Sequence, residues 1–279
     1  MTRWPGRALA FAALGAVLLA GWFVVRGVIW PDRHGAQVSH FTIESRYVNR
    51  ELEVTVVIPA HSRPGRPLLV FLHGNGGDED SELRNEGMFK ELARLGKRAP
   101  VVAFPNGGGD SYWHHRNSGD WFRYVTREVV GGVRARYHTD PHRVAIGGVS
   151  MGGFGALDIA RLRPGTFCAV AAHSPAIWTS GAQTAPGAFD DARDFARNDI
   201  VRVARRRPGR FAGPRLWIDA GQRDPFQPGD RAFVAALRAS NVPVHAHLGW
   251  HGGHEHSYWQ RHWPTYLKFY AHALARCGR

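Results

Sequence analysis

The feature that most constrains the fold of this chain is the segment 144–157, VAIGGVSMGGFGAL. Its first half is apolar or glycine, as in a strand buried on both faces, and its second half has the composition of a helix. Ser150 stands between Gly148 and Gly152. Glycines at these two positions permit a turn so sharp that side chains there would collide with neighbouring backbone. The segment therefore predicts a strand, a tight turn at Ser150 and a helix.

A serine in such a turn is held with its hydroxyl above the edge of a sheet, where it can act as a nucleophile. The first backbone N–H groups of the next helix and the positive end of its dipole stabilise an oxyanion at the same place. We therefore predict Ser150 as a nucleophile and the N–H of Met151 as an oxyanion donor. The pattern also occurs in ordinary strand–helix connections, so this interpretation depends on the rest of the chain.

The size and charge of the chain limit its class. It has 279 residues, 44% of them hydrophobic, which suits one large α/β domain with a full core. The formal net charge is +13, which could attract an anionic partner. The arginines are scattered and no nucleic-acid-binding module is recognisable, so we expect no nucleic acid partner.

Residues 8–25 form an uncharged, mostly apolar run with arginines on both sides. At about 1.5 Å per residue the run is just long enough to cross a bilayer. We interpret residues 1–30 as an uncleaved membrane anchor in preference to a cleaved signal peptide, because the run is long for a signal and no small-residue cleavage site follows. Both interpretations place the folded domain outside the cytoplasm. Residues 31–40 are then a linker and residues 41–279 the domain.

The chain has two cysteines, Cys168 and Cys277. Cys168 falls in a predicted core strand, where an unpaired cysteine behaves as a small apolar residue. We favour this interpretation, and a disulfide in an oxidising compartment is the alternative.

Apolar segments alternate with helical patterns along the domain, which is typical of an α/β domain. Residues 176–214, rich in Gly, Pro, Asp and Arg, are interpreted as an excursion over the active site with one helix near 199–206; loops of this length are usually functional. We predict strands at 41–44, 52–58, 68–72, 101–104, 144–149, 168–172, 216–220 and 244–248, with helices at 86–95, 121–137, 230–240 and a last one that follows residue 259 and ends at about 276.

Two glycine-rich loops are candidates for substrate binding. The segment HGNGG at 73–77 follows a strand, so its free N–H groups lie at the end of the sheet, and we assign the N–H of Asn75 as the second oxyanion donor. The loop at 105–115 places glycines beside aromatic residues, as in the wall of a binding site. The candidate substrate-binding residues are His73, Trp113, Trp121 and Trp178.

The candidate acid and base also follow predicted strands. Asp224 lies in the loop beyond the strand at 216–220, and Asp219 inside that strand is the alternative acid. His254 follows a Gly-Gly turn that lets it reach across the sheet edge, so we favour it as the general base over His251 and His256.

The density of histidines at 247, 251, 254 and 256 raises the alternative of a metal site. Glycines interrupt any helix there and no second ligand cluster stands out, so we expect no metal.

Ser150, Asp224 and His254 therefore occur in the order nucleophile, acid, histidine, each in a loop after a predicted strand. This order predicts covalent catalysis on an ester. His254 would take the proton of Ser150, and Asp224 would orient the imidazole.

From about residue 41 onward the chain resembles the putative esterase family of the α/β-hydrolases, which includes esterase D (S-formylglutathione hydrolase) and the mycolyltransferases. The resemblance implies an eight-stranded, mostly parallel sheet flanked by helices, no cofactor, and acyl-ester chemistry on a small-molecule, lipid or carbohydrate ester. His256 departs from the pattern, since relatives usually carry an aromatic residue two places after the catalytic histidine. The matching segments are 73–77, 119–124, 149–157, 219–226, 252–254 and 258–259.

We thus predict a membrane-anchored, extracytoplasmic serine esterase. One alternative is an acyltransferase resembling the mycolyltransferases, in which a sugar hydroxyl replaces water. The other is a non-catalytic envelope-binding protein that keeps the fold. The oligomeric state is left open.

Overall fold

The computed structural model describes residues 31–277, whose core is one eight-stranded sheet in the order β1-β2-β4-β3-β7-β8-β9-β10. A short hairpin, β5 with β6, lies outside this sheet. The strands are β1 (Gln37–Ser45), β2 (Arg50–Ile58), β3 (Leu68–Leu72), β4 (Val101–Pro105), β5 (His115–Arg116), β6 (Gly119–Asp120), β7 (Val144–Val149), β8 (Ala169–His173), β9 (Arg215–Gly221) and β10 (Val244–Trp250).

The sheet is mostly parallel, as predicted. β2 pairs antiparallel with both β1 and β4, and every other pair is parallel. All residues of β3, β4, β7 and β8 are buried, which explains why these strands appear in the sequence as continuous apolar runs rather than alternating ones.

Helices cover both faces of the sheet. The apolar residues of α3, α4, α6 and α7 pack on one face, and those of α1 and α8 pack on the other. The helices are α1 (Glu86–Leu95), α2 (Trp121–Arg123), α3 (Val130–Tyr137), α4 (Met151–Leu162), α5 (Ala192–Asn198), α6 (Ile200–Arg206), α7 (Gln227–Ala239) and α8 (His256–Leu274). Between α2 and α3 the chain stays helical as a wider π-helix over Tyr124–Val129.

The excursion at 176–214 is more ordered than the sequence suggests. It contains the predicted helix as α6 and a second helix, α5, whose first turn is capped by the side chain of Asp191. The buried pair His114–Asp194, with Nε2 3.0 Å from Oδ2, fixes the excursion to the loop after β4. Arg116 donates two hydrogen bonds to the carboxylate of Asp190 and makes a second attachment.

Within residues 31–277, no helix combines the length and the apolar character needed to cross a bilayer. The predicted membrane segment at 1–30 lies outside the described residues.

The expectation of an unpaired Cys168 is wrong, because Cys168 and Cys277 form a disulfide. Cys168 stands just before β8, at the amino end of the sheet, and α8 runs back along the sheet to the same end. The two Cα atoms thereby come within 5.8 Å of each other, a normal distance for a disulfide. Sequence alone does not reveal this approach, because it depends on the direction of the last helix.

We expect removal of the disulfide to destabilise the domain strongly, since it joins residues 109 positions apart and so restricts the unfolded chain. The double substitution C168S/C277S should lower the free energy of unfolding by about 2–5 kcal/mol. Urea denaturation with and without a reductant measures the effect. The reductant should lower the stability of the native chain and leave that of the double variant unchanged. Equal stabilities of the native chain and the double variant in the absence of reductant would contradict the prediction.

Candidate active site

The turn between β7 and α4 places the hydroxyl of Ser150 at the carboxyl end of the sheet. Ser150 has φ +54° and ψ −117°, a strained conformation that non-glycine residues rarely adopt. A side chain on Gly148 or Gly152 would overlap the backbone oxygen of Leu72. Both glycines are therefore required by the close approach of the turn to β3, as the sequence pattern predicts.

The loops that carry Asp224 and His254 are joined through their backbones. The N–H of Gln222 donates to the carbonyl of Trp250 over 2.8 Å, and the N–H of Arg223 donates to the carbonyl of Gly252 over 3.0 Å. Gly252 has φ +135°, and a Cβ there would lie 2.7 Å from the ring of Tyr258. This pairing fixes the distance between the two loops.

Three side chains, each from the segment that follows a different strand, form a continuous series of hydrogen bonds. His254 Nε2 lies 2.8 Å from Ser150 Oγ, and His254 Nδ1 lies 3.0 Å from Asp224 Oδ2. Asp224 is buried and its Oδ1 also accepts the N–H of Phe226, so the carboxylate is held in place. The carboxylate fixes the tautomer with the proton on Nδ1, which leaves Nε2 as the acceptor for the serine hydroxyl.

Asp219, the alternative acid, does not contact His254. Its Oδ2 accepts hydrogen bonds from His173 Nδ1 at 2.6 Å and Trp217 Nε1 at 2.7 Å. Its Oδ1 accepts from the hydroxyls of Tyr258 at 2.9 Å and Tyr266 at 3.0 Å. The carboxylate is fully buried with four donors, so its role is structural.

The remaining histidines of this region point elsewhere. His256 is exposed and its ring lies against the side chain of Gln260, while His247 is stacked between Trp217 and Trp250. Among residues 31–277 no three histidine, cysteine or acidic side chains are grouped as a metal site requires.

The two candidate oxyanion donors flank the serine. Met151 is the first residue of α4, so its N–H has no acceptor within the helix. Asn75 follows Gly74, and a Cβ on Gly74 would lie only 3.4 Å from that of Ser150. The loop at 73–77 therefore packs directly against the serine turn. The assignment of Asn75 and Met151 as donors stays a prediction.

The four candidate substrate-binding residues differ in exposure. His73, Trp113 and Trp121 are buried, and only Trp178 of the four keeps part of its ring exposed. His73 accepts the N–H of Gly107 at Nε2, so its Nδ1–H donates to the carbonyl of Gly74; burial lowers the pKa of this imidazole. These buried rings support the loops around Ser150, and substrate contact by any of the four stays a prediction.

Aromatic side chains that the sequence analysis did not assign surround the catalytic histidine candidate. The rings of Phe226 and Trp259 lie 4.9 and 5.2 Å from the ring of His254, both edge to face. Trp178 stands edge to face with Phe226 at 5.4 Å, which extends the apolar surface into the excursion. Behind Trp178, the buried ring of Tyr112 and the half-buried ring of Phe189 lie 5.4 and 5.8 Å from its ring.

A third buried acid, Asp230, lies beneath the site in α7. It is fully buried, and neither carboxyl oxygen has a hydrogen-bond partner within residues 31–277. Burial, together with the charges of Asp224 and Asp219, raises the pKa of Asp230 well above its ordinary value. Loss of hydration and the nearby like charges both act against ionisation of this carboxyl.

The strand order, the strained serine turn and the three loops at the carboxyl end of the sheet define an α/β-hydrolase fold. A family model described as "Putative esterase" matches residues 45–276. The chain therefore belongs to this esterase family.

Curated relatives agree with this assignment. The chain is 31% identical to the S-formylglutathione hydrolase of Bos taurus over 255 residues, an alignment that covers 78% of this chain and 87% of the relative. It is 27% identical over 233 residues to an esterase of Mycobacterium tuberculosis, covering 70% of this chain. The aligned region spans only 50% of that mycobacterial protein.

Solved structures show the same fold at lower sequence identity. A ferulic acid esterase superposes with a TM-score of 0.75 at 22% identity, covering 85% of this chain and 98% of the other. An S-formylglutathione hydrolase from Agrobacterium tumefaciens gives 0.74 at 19% identity, covering 86% and 96%.

The structural role of Asp219 can be tested by measuring the free energy of unfolding. Replacing Asp219 by Asn removes a buried charge that accepts four hydrogen bonds and turns an amide N–H toward one of those donors. We expect D219N to lower the free energy of unfolding by about 3 kcal/mol. Urea denaturation would measure this, with D110N, at an exposed carboxylate, as the control. Equal stabilities of D219N and D110N would show that the network does not stabilise the fold.

Proposed function

We propose that the chain is a serine carboxylic-ester hydrolase in which Ser150, His254 and Asp224 act as nucleophile, general base and orienting acid. The observation that carries the proposal is the continuous line of hydrogen bonds, 2.8 Å from Ser150 Oγ to His254 Nε2 and 3.0 Å from His254 Nδ1 to Asp224. Nucleophile, base and orienting group within bonding reach of one another are what acyl transfer through a serine requires.

The first half of the reaction forms an acyl-enzyme. Ser150 Oγ attacks the ester carbonyl carbon while His254 Nε2 takes the hydroxyl proton, and Asp224 stabilises the resulting imidazolium. The backbone N–H groups of Met151 and Asn75 donate to the tetrahedral oxyanion, and the helix dipole of α4 acts in the same direction. The bond to the alcohol oxygen then breaks, and His254 returns its proton to the leaving alcohol.

Water completes the cycle. His254 takes a proton from a water molecule that attacks the acyl carbon, and the second tetrahedral intermediate collapses to the free acid while the proton returns to Ser150 Oγ. If a sugar hydroxyl occupied the place of this water, the same residues would perform acyl transfer. Incubation with a p-nitrophenyl ester, with and without trehalose, followed by identification of the acyl product, distinguishes the two. Hydrolysis gives the free acid, whereas transfer gives an acyl-sugar.

The aromatic surface beside His254 favours ester substrates that carry a compact apolar or aryl group. Phe226 and Trp259 enclose the imidazole from two sides, and Trp178 has exposed ring surface near them. Such surfaces bind apolar parts of a ligand and exclude water from the reacting atoms.

We further propose that the domain acts outside the cytoplasm, attached through residues 1–30. Two observations support this location. The sequence of residues 8–25 suits a membrane segment, and the disulfide between Cys168 and Cys277 is of a kind that persists in oxidising compartments.

Loss of the nucleophile or of the orienting acid should abolish most of the activity. We expect S150A to lower kcat/KM for a p-nitrophenyl ester by about 10⁵-fold or more, and D224N by about 10⁴-fold, with the free energy of unfolding little changed. Ser257, exposed and three residues from His254, supplies the matched control S257A, which should retain full activity.

Labelling by a fluorophosphonate probe gives an independent readout of the same serine. The native chain and S257A should be labelled and S150A should not. Ester hydrolysis by S150A at the native rate, or labelling that survives this substitution, would refute the assignment.

Export can be tested with a reporter that acts only outside the cytoplasm. A β-lactamase lacking its own signal, fused after residue 40 and produced in a Gram-negative bacterium, should confer ampicillin resistance. The matched fusion that carries only residues 31–40 should not. Sensitivity of cells that accumulate the first fusion would contradict the proposed location.

A further inference from the structure

A groove of about 470 Å³ lies at the amino end of β9, away from Ser150, between β9, the edge strand β10 and the last turns of α8. This volume is within the range of small-molecule binding sites. None of the catalytic candidates lines it. The groove is therefore separate from the ester-binding site, and the binding of a ligand there does not depend on the proposed function.

The walls of the groove carry positive charge. Arg215, Lys268 and Arg276 line it, and within residues 31–277 none of the three forms an ion pair. His245 and His272 complete the wall, and none of the described lining residues is acidic. Desolvation and the positive charges of Arg276 and Arg215 lower the pKa of His272, as expected where cationic groups face one another.

The floor of the groove is aromatic and fixed in orientation. The rings of Trp217 and Phe269 lie 5.2 Å apart, inclined by 42°, and both are only partly buried. Trp217 Nε1 donates to Asp219 over 2.7 Å, so the indole cannot rotate without breaking that bond. A rigid, partly exposed aromatic surface suits a flat apolar ligand at low entropic cost.

The disulfide holds two of the cationic walls in position. Arg276 immediately precedes Cys277, and the N–H of Arg215 donates to the carbonyl of Cys168 over 2.9 Å. Cys168 and Cys277 are bonded to each other, so the backbones of both arginines are tied to one point. A site whose charges are fixed before binding loses less entropy when a ligand binds.

We propose that this groove binds a small organic anion that combines a flat aromatic ring with a carboxylate or phosphate group. The ring packs on Trp217 and Phe269, and the anionic group is held by Arg215, Lys268 and Arg276. Guanidinium groups match carboxylate and phosphate oxygens in geometry, and the ammonium of Lys268 adds a movable point charge.

Calorimetric titration of the full chain with naphthoate tests the proposal. Naphthylmethanol has the same ring without the charge, and acetate has the charge without the ring. We expect naphthoate to bind and each of the other two to bind at least about tenfold more weakly, because each lacks one half of the recognition.

A pair of charge reversals locates the site. K268E inverts a charge in the groove, whereas K90E inverts one on the exposed face of α1. The two variants have the same net charge, so any non-specific attraction of anions to the basic protein is weakened equally in both. We expect K268E to weaken naphthoate binding by about tenfold and K90E by less than about twofold.

Equal effects of K268E and K90E would overturn the proposal, as would equal affinity for naphthoate and naphthylmethanol. Undetectable binding of naphthoate at millimolar concentration would overturn it as well. Circular dichroism of both variants verifies that each is folded.

Discussion

The site depends on one buried carboxylate that is not itself in contact with the serine or the histidine. Asp219 accepts hydrogen bonds from the end of β8, from β9 and from two tyrosines of α8. The same His173 that donates to Asp219 accepts the N–H of Ser150 at its backbone oxygen, over 3.0 Å. The turn at Ser150, the strand β9 and the helix α8 are thereby held by a single buried carboxylate.

This arrangement separates the groups that hold the geometry from the groups proposed to react. Asp219 is fully paired and buried, whereas His254 keeps a fifth of its side chain exposed. Burial and the charge of Asp219 raise the pKa of Tyr258, so this hydroxyl remains a donor.

Much of this architecture could be predicted from the sequence, because its signals are local. The strand at 68–72, the helix at 86–95 and the serine turn were predictable from an unbroken apolar run, a helical pattern and two glycines that only one backbone geometry requires. The eight-stranded, mostly parallel sheet and the family are those implied by the resemblance. Asp224 and His254 were located by their positions after predicted strands. The structure brings His254 within hydrogen-bond distance of Ser150, and Asp224 within hydrogen-bond distance of His254.

The features that sequence did not reveal depend on distant contacts. The hydrogen-bond network around Asp219 is one of them, because its donors His173, Tyr258 and Tyr266 lie up to 47 positions away along the chain. The disulfide required the direction of α8, and the helix α5 was hidden because a single capping aspartate, Asp191, starts it in a segment rich in turn residues.

The attachment of the excursion has a consequence for how such an enzyme can change. Its rings, Trp178 and Phe189, contribute to the aromatic surface, yet the pairs that hold it, His114–Asp194 and Arg116–Asp190, involve none of the residues bonded to Ser150 or Asp219. Residues 178–189, which carry both rings and precede these attachments, can therefore be exchanged without altering the proposed proton path. Substitutions in this one segment can therefore change which ligands the fold accepts, while the residues proposed to react stay the same.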